Sequence, residues 1–227
     1  MSKLITLNIN EMFETIQGEG AHTGIPSIFV RLQGCPVGCP WCDTKHTWTL
    51  DNALVTTAQQ VIDKTNESEH FFEIDENKLL SLFSEQGYVA KHVVITGGEP
   101  CMYDLRPLTT LLHDNGFSTQ IETSGTYEVL CDDRTYVTVS PKINMKGGMP
   151  VLLSALERAN EIKHPIAMQK HIDELDALLA DVSSLAGKQV CLQPISQQPR
   201  ATELAVQTCI ARNWRLSLQT HKYIGIE

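Results

Sequence analysis

The stretch Ser27-Ile-Phe-Val-Arg-Leu32-Gln-Gly34-Cys35-Pro-Val-Gly38-Cys39-Pro-Trp41-Cys42-Asp-Thr44 decides how this chain is read. Its first six residues are mostly β-branched, aromatic and aliphatic, the composition of a largely buried strand. The run stops at Gln33-Gly34, and three cysteines follow within eight residues. A strand that ends on a glycine and empties into a ligand-bearing loop is the opening of a β/α unit. In such folds the site lies at the carboxyl ends of the strands.

Similar apolar runs recur at 92–95, 117–121, 136–139, 165–168, 189–192 and 214–218. Helical spacing fills the gaps at 105–115, 151–162, 171–185 and 201–212; the first of these sets Leu105, Leu108, Leu111 and Leu112 on one face. Strands alternating with helices predict an α/β fold, a partial barrel of six or seven mainly parallel strands. A full eightfold barrel takes about 250 residues, and this chain has 227. Polar and glycine-rich groups follow the apolar runs, at Thr96-Gly97-Gly98-Glu99, Glu122-Thr123-Ser124-Gly125, Ser140-Pro141-Lys142, Gln193-Pro194 and Gln219-Thr220-His221. The region 47–91 carries little that matches a function. Its core reads as two helices, 57–66 and 77–86, with a charged connector between them.

At roughly 150 residues per domain, the length fits one domain over 1–227. Apolar residues are 42% and charged residues 20% of the chain, enough for an ordinary core and against intrinsic disorder. A net charge of −9 argues against direct nucleic-acid binding and against anionic membranes. No apolar run reaches the roughly 18–20 residues of a membrane span, and residues 1–10 lack the apolar block of a signal peptide. A cytoplasmic protein is expected. Seven cysteines, an odd number with three crowded together, fit a metal or cluster site better than a disulfide framework. Cys101, Cys131, Cys191 and Cys209 stand alone and read as buried, inert thiols.

Cys35, Cys39 and Cys42 have the spacing C-x3-C-x2-C. Three thiolates on one loop can hold three irons of a [4Fe–4S] cube and leave the fourth iron open. Gly38, between Pro36 and Pro40, suits the tight wrapping this needs. Zinc is the inorganic rival, with His46 completing a Cys3His tetrahedron. Trp41 fits either a core position or a platform for a cofactor base. Ligand types leave cluster and zinc both open.

The cysteine spacing, the aromatic residue before Cys42 and Thr96-Gly97-Gly98-Glu99-Pro100 together resemble the radical S-adenosylmethionine (SAM) superfamily. More narrowly, the chain resembles the 7-carboxy-7-deazaguanine synthase family of the queuosine and 7-deazapurine pathway. The narrower likeness rests on Phe13-Glu14-Thr15-Ile16-Gln17-Gly18-Glu19-Gly20, Arg31-Leu32-Gln33-Gly34-Cys35, Cys42-Asp43-Thr44, Glu122-Thr123-Ser124-Gly125, Ser140-Pro141-Lys142 and Gln219-Thr220-His221-Lys222-Tyr223.

The resemblance implies a lyase that converts 6-carboxy-5,6,7,8-tetrahydropterin to 7-carboxy-7-deazaguanine. Hydrogen abstraction by an adenosyl radical is followed by ring contraction, and one nitrogen leaves as ammonia. It implies a [4Fe–4S] cluster on Cys35, Cys39 and Cys42, with His46 off the metal, and Mg²⁺ on Thr44. SAM would be contacted by Trp41, Cys42, Asp43, Gly98, Ser140, Pro141, Lys142, Gln193, Pro194, Ile195 and Ser196. The pterin substrate would be contacted by Ile16, Gln17, Gly18, Glu19, Arg31, Thr96 and His221. A homodimer and an electron donor such as a flavodoxin are implied as partners. Some relatives end in proline and bring the terminal carboxylate near the substrate, whereas this chain ends in Glu227. A glycyl-radical activase shares the cluster and the TGGEP turn, but the 17–19 and 219–223 blocks weigh against it.

Overall fold

The computed structural model describes residues 6–226, and Glu227 lies outside them. Nine strands form one sheet: β1 (Leu7–Ile16), β2 (Pro26–Leu32), β3 (Phe72–Ile74), β4 (His92–Gly97), β5 (Ser118–Thr123), β6 (Tyr136–Val139), β7 (Glu161–Ile166), β8 (Gln189–Pro194) and β9 (Arg215–Leu216). Their spatial order is β3-β1-β2-β4-β5-β6-β7-β8-β9. From β2 to β9 every neighbouring pair is parallel. Seven strands thus run in one direction, at the upper limit of the expected number. The sheet is open, with β3 and β9 at its edges.

The parallel strands are near-continuous apolar runs because both faces are covered. Ile28, Val30, Leu32, Val93, Val94, Ile95, Ile121, Val137, Val139 and Leu192 are all shut off from solvent. The helices are α1 (Ala58–Ile62), α2 (Glu76–Glu85), α3 (Arg106–Asp114), α4 (Leu153–Arg158), α5 (Gln169–Leu179), α6 (Pro199–Arg212) and α7 (Thr220–Ile224). Each long helix buries one stripe, such as Leu108 and Leu112 of α3 or Ile172, Leu175 and Leu179 of α5.

Four expected elements need correction, and β1 is unexpected. The helix expected over 151–162 ends at Arg158, and the strand expected at 165–168 begins at Glu161. The misread residues, Glu161-Ile-Lys-His164, form a strand whose charged side chains point inward, against the usual exposure of Glu and Lys. The helices expected over 57–66 and 171–185 are shorter; the first stops at Asp63, after a Thr57–Gln60 capping box. β1 had no strand signature, because a register shift between Ile9 and Glu11 breaks its alternation. Ile9, Asn10 and Met12 are consequently all buried.

The region 47–91 also proves more than a helix pair. Its β3 pairs antiparallel with β1, and Phe72, Leu79 and Phe83 enter the core.

Two strand ends touch backbone to backbone. Gly98 N donates to Leu32 O at 2.8 Å, and Glu99 N donates to Gly34 O at 2.9 Å. A Cβ on Gly98 would lie 2.2 Å from Gly34 O, and one on Gly97 would lie 2.5 Å from Leu32 N. Gly97 also has φ +99°, a conformation other residues avoid. Gly98→Ala is therefore expected to lower stability by about 1–3 kcal/mol through forced backbone displacement. Urea denaturation should show that loss, and Gly116→Ala, where a Cβ meets nothing within 4 Å, should show only the cost of its φ of +80°.

Candidate active site

A cavity of about 810 Å³ opens at the carboxyl ends of the parallel strands. All the cluster, magnesium, SAM and substrate contacts implied by the resemblance line it, with one exception. Pro141 is buried beside it, between Ser140 and Lys142, and does not line it.

The cysteine loop follows β2 directly. Gly34 N donates to Thr47 O at 2.7 Å, and Cys35 N donates to Trp48 O at 3.1 Å, so the loop starts from a fixed base. Gly38 turns it at φ +70°. Gly147 N donates to Val37 O at 3.0 Å, and a Cβ on Gly147 would lie 2.1 Å from Pro36 O. The loop after β6 thus braces the cysteine loop from outside. Burial pushes the Cys35 thiol up to about 11, with Glu99 and the Cys39 and Cys42 sulfurs adding to the effect of burial. Burial also raises Cys39, against the opposing pull of the Lys142 ammonium. Three soft sulfur donors on one braced loop, facing one cavity, fit an iron–sulfur cluster.

His46 is turned away from them. Its ring lies between Glu11 and Glu67, 3.6 Å from a carboxylate oxygen of each, and it does not line the cavity. The Cys3His zinc arrangement lacks its fourth ligand.

Thr44 stands next to the cysteines, its hydroxyl 3.6 Å from Cys42 Sγ and 3.4 Å from Gly97 O. Lys142 Nζ donates to Ser140 Oγ at 2.6 Å. At the end of β8, Gln193 Oε1 accepts from Ser217 Oγ, and Ser196 holds a left-handed φ of 53°. Trp41 is 40% exposed, so it is no core residue. Its ring borders the cavity.

On the opposite side, residues 16–19 are fastened to α7. Thr220 donates to Gly18 O through both its backbone N and its hydroxyl. Gly18 fits against the His221 ring, where a Cβ would lie 2.3 Å from Nδ1. Arg31 is half-buried and paired. Its guanidinium donates to Glu11 of the neighbouring strand and lies 4.9 Å from the centre of the Phe13 ring. Burial alone would raise Glu11, but His46, Arg31 and Lys64 bring its carboxyl down to about 2.

The sequence assigned no role to two buried charges that meet Glu19, namely Lys163 and Glu122. Lys163 Nζ, on β7, donates to Glu19 Oε2 at 2.8 Å and to both oxygens of Glu122 at 2.9 and 3.0 Å. The side chains of Lys163, Glu19 and Glu122 are 6%, 19% and 15% exposed. Burial acts against the Lys163 charge, but Glu122, Glu19 and Glu161 together raise it. Glu19 is held at about 2, because Lys163 and Gln219 outweigh burial. Glu122 goes the other way, up to about 7, because burial and the charges of Glu19 and Glu161 exceed the help of Lys163. Glu99, just after the glycine turn, is also unforeseen. One oxygen accepts from Cys101 N and Thr123 Oγ1, the other from the backbone N and hydroxyl of Ser124. Only the blocks containing Glu122 and Glu99 were visible in the sequence; Lys163 sat in the misplaced strand.

Comparison with known proteins agrees with this geometry. Residues 16–128 match a 4Fe-4S single cluster domain. The chain is 59% identical to 7-carboxy-7-deazaguanine synthase of Escherichia coli (strain K12), over 96% of this chain and 98% of that protein. The chain belongs to the 7-carboxy-7-deazaguanine synthase family. It is 34% identical to the family member from Synechocystis, covering 100% of this chain and 97% of that one. The crystal structure of QueE from Escherichia coli superposes with a TM-score of 0.93 at 58% identity, covering 95% of each chain. The open sheet is accordingly the partial barrel of the radical SAM enzymes, and the family's cofactors are a [4Fe–4S] cluster and SAM.

Within this site, the raised Glu122 has a consequence for stability. Its folded value of about 7 exceeds the ordinary 4.5, so the folded chain binds the proton more tightly. That stabilisation is complete below about pH 4.5 and fades as pH rises through about 7. Urea midpoints taken from pH 5 to pH 8 should fall with a slope of at most about 1.4 kcal/mol per pH unit. Glu122→Gln should flatten that segment.

Proposed function

We propose that the chain converts 6-carboxy-5,6,7,8-tetrahydropterin to 7-carboxy-7-deazaguanine with release of ammonia. The observation that carries this reading is one cavity lined by two chemically distinct sets of groups. Three sulfur donors and the Gly97-Gly98 turn form one set, and Glu19, Arg31 and His221 form the other. When bound, the reduced cluster and SAM supply an adenosyl radical that removes hydrogen from C6 of the substrate.

In this reading Cys35, Cys39 and Cys42 hold the cluster and leave one iron without a protein ligand. Trp41, Cys42, Asp43 and Gly98 border SAM, as do the Ser140 and Lys142 pair and the 193–196 segment. Pro141 acts from below, by setting the turn that aims its two neighbours. Lys142, already near Cys39, supplies a cation for the SAM carboxylate. Gln17 is only 3% exposed and accepts from Glu19 N at 3.1 Å, which supports a fixed loop for the pterin edge. Glu19 presents a carboxylate to the pterin N–H groups; Arg31, with N–H groups left over from Glu11, presents donors to its carboxylate. Ile16, Gly18, Thr96 and His221 complete the walls.

Thr44 contributes one hydroxyl oxygen to Mg²⁺, whose other positions are filled by water and substrate oxygens, a sharing this ion tolerates. The proposal takes 1–227 as one radical SAM domain, working as a cytoplasmic homodimer with an external one-electron donor such as a flavodoxin. No described helix is long and apolar enough to cross a membrane.

Anaerobic reconstitution tests the reading. Wild-type protein with SAM, reductant and the carboxy-tetrahydropterin should form 7-carboxy-7-deazaguanine, and a chelator of Mg²⁺ should slow it. Cys42→Ala should lose the cluster absorption and all turnover, whereas His46→Gln should keep the cluster and cleave SAM. Zinc-loaded, iron-free protein after the same treatment would overturn the proposal.

A further inference from the structure

The substrate and product of the proposed reaction differ by one molecule of ammonia. After ring contraction, a carbon–nitrogen bond must break, with its electron pair leaving on nitrogen, and that nitrogen must gain a proton. An adjacent carbon–hydrogen bond must give up its proton, and its electrons become the new carbon–carbon double bond. The step therefore needs one acid and one base in the same cavity, exchanging a proton in opposite senses.

We propose that Lys163 and Glu122 are that acid and base. The inference rests on the functional reading above and adds to it the residues of nitrogen loss. Both side chains line the cavity, and they touch each other at 2.9 and 3.0 Å. Lys163 gives a proton to the departing nitrogen, and Glu122 takes the proton from carbon. The proton on Glu122 then returns to Lys163 across their own hydrogen bond. No other reactant is required, and the pair ends as it began.

Two alternatives in the cavity are less suited. Lys142 is held by Ser140 at the sulfur end. Glu19 is kept strongly acidic by Lys163 and Gln219, which makes it a poor base. Glu122 faces Lys163 of β7, Glu19 of the 16–20 loop and Gln120 of its own strand, whose amide donates to it at 2.9 Å. Glu161 lies close enough to raise it further. These neighbours set Glu122 near neutrality, where a carboxylate is an effective base. Glu19 also has a second use. When it turns to the pterin, Lys163 loses one counter-charge and becomes a better acid.

The test uses reconstituted enzyme and substrate deuterated at C6. In Glu122→Gln and Lys163→Gln, deuterium should still wash into recovered SAM at the wild-type rate. Product should form roughly 100-fold more slowly, as for loss of a general acid or base. An isomer of the substrate, carrying the contracted ring and the retained nitrogen, should accumulate in quenched samples. The wild-type pH–rate profile should lose its Glu122 limb in Glu122→Gln. Iron content and the retained deuterium transfer show that each variant is folded. Product at the wild-type rate, or a parallel loss of deuterium transfer and product, would overturn the assignment; the second result would make the pair a binding element. Absence of both product and transfer in the wild type would instead remove the functional reading itself, and the pair with it.

Discussion

The contact between the Gly97-Gly98 turn and the backbone of Leu32 and Gly34 is the constraint on which the site depends. It joins the ends of β2 and β4 where side chains would keep them apart. The cysteine loop leaves from one partner in this contact, and Glu99 leaves from the other. Glu99 in turn gathers Cys101 N, Thr123 and Ser124, which extends the same anchorage to β5. Ser140 N and Lys142 N then donate to Thr123 O and Ser124 O, so β6 is tied in as well. Four strand ends are positioned by one chain of hydrogen bonds that starts from a glycine pair. The glycine pair, in which resemblance makes Gly98 a SAM contact, serves first as space for the neighbouring strand.

The other end of the cavity is organised by buried charge. An isolated ammonium at the position of Lys163 would be costly, and so would the carboxylates around it. Together they share a compact network that fixes distant parts of the chain. Glu161 accepts from Ala21 N, Ser217 accepts from Gly20 N, and Gln219 donates to Glu19. The 16–21 loop is thereby held to β7, to the segment after β9 and to the start of α7. Such a network contributes little net stability, because desolvation offsets attraction. Its gain is geometric, since it fixes where the 16–21 loop sits, although Glu161 Oε1 is buried without a hydrogen-bond partner.

The parallel strands were legible because burial on both faces leaves an uninterrupted apolar run, as at Ile28 to Val30 and at Val93 to Ile95. The cavity residues were legible as blocks at strand ends. Three features were hidden, for separate reasons. β1 was hidden by a bulge that cancels its alternation. β7 was hidden by Glu161 and Lys163, whose residue types signal surface although their partners hold them inside. β3 was hidden because three residues carry too short a pattern to be distinguished from a loop. The role of Glu99 was invisible for a simpler reason. A carboxylate that accepts four hydrogen bonds within the protein looks the same in sequence as one in water. Pro141 errs in the opposite direction, since a motif marks neighbours of a site as readily as its lining.

A chain with a net charge of −9 nevertheless builds a cavity rich in cations. Arg31, Lys64, Lys142, Lys163 and Lys222 all reach it. Most are bound to an acid of this chain: Arg31 and Lys64 to Glu11, Lys163 to Glu19 and Glu122, Lys222 to Asp43. Lys142 differs, because its partner is the neutral hydroxyl of Ser140. An anion entering at Lys142 meets an uncompensated charge, while one entering at Arg31 must share the guanidinium with Glu11. The two ends are thus not electrostatically equivalent. A zwitterion bearing a carboxylate and an ammonium suits the Lys142 end, where the cation and the buried Glu99 stand on the same wall. A flat heterocycle with N–H donors and one carboxylate suits the other end, where carboxylates outnumber free cations. Local pairing, and not total charge, sets which part of the cavity suits which ligand.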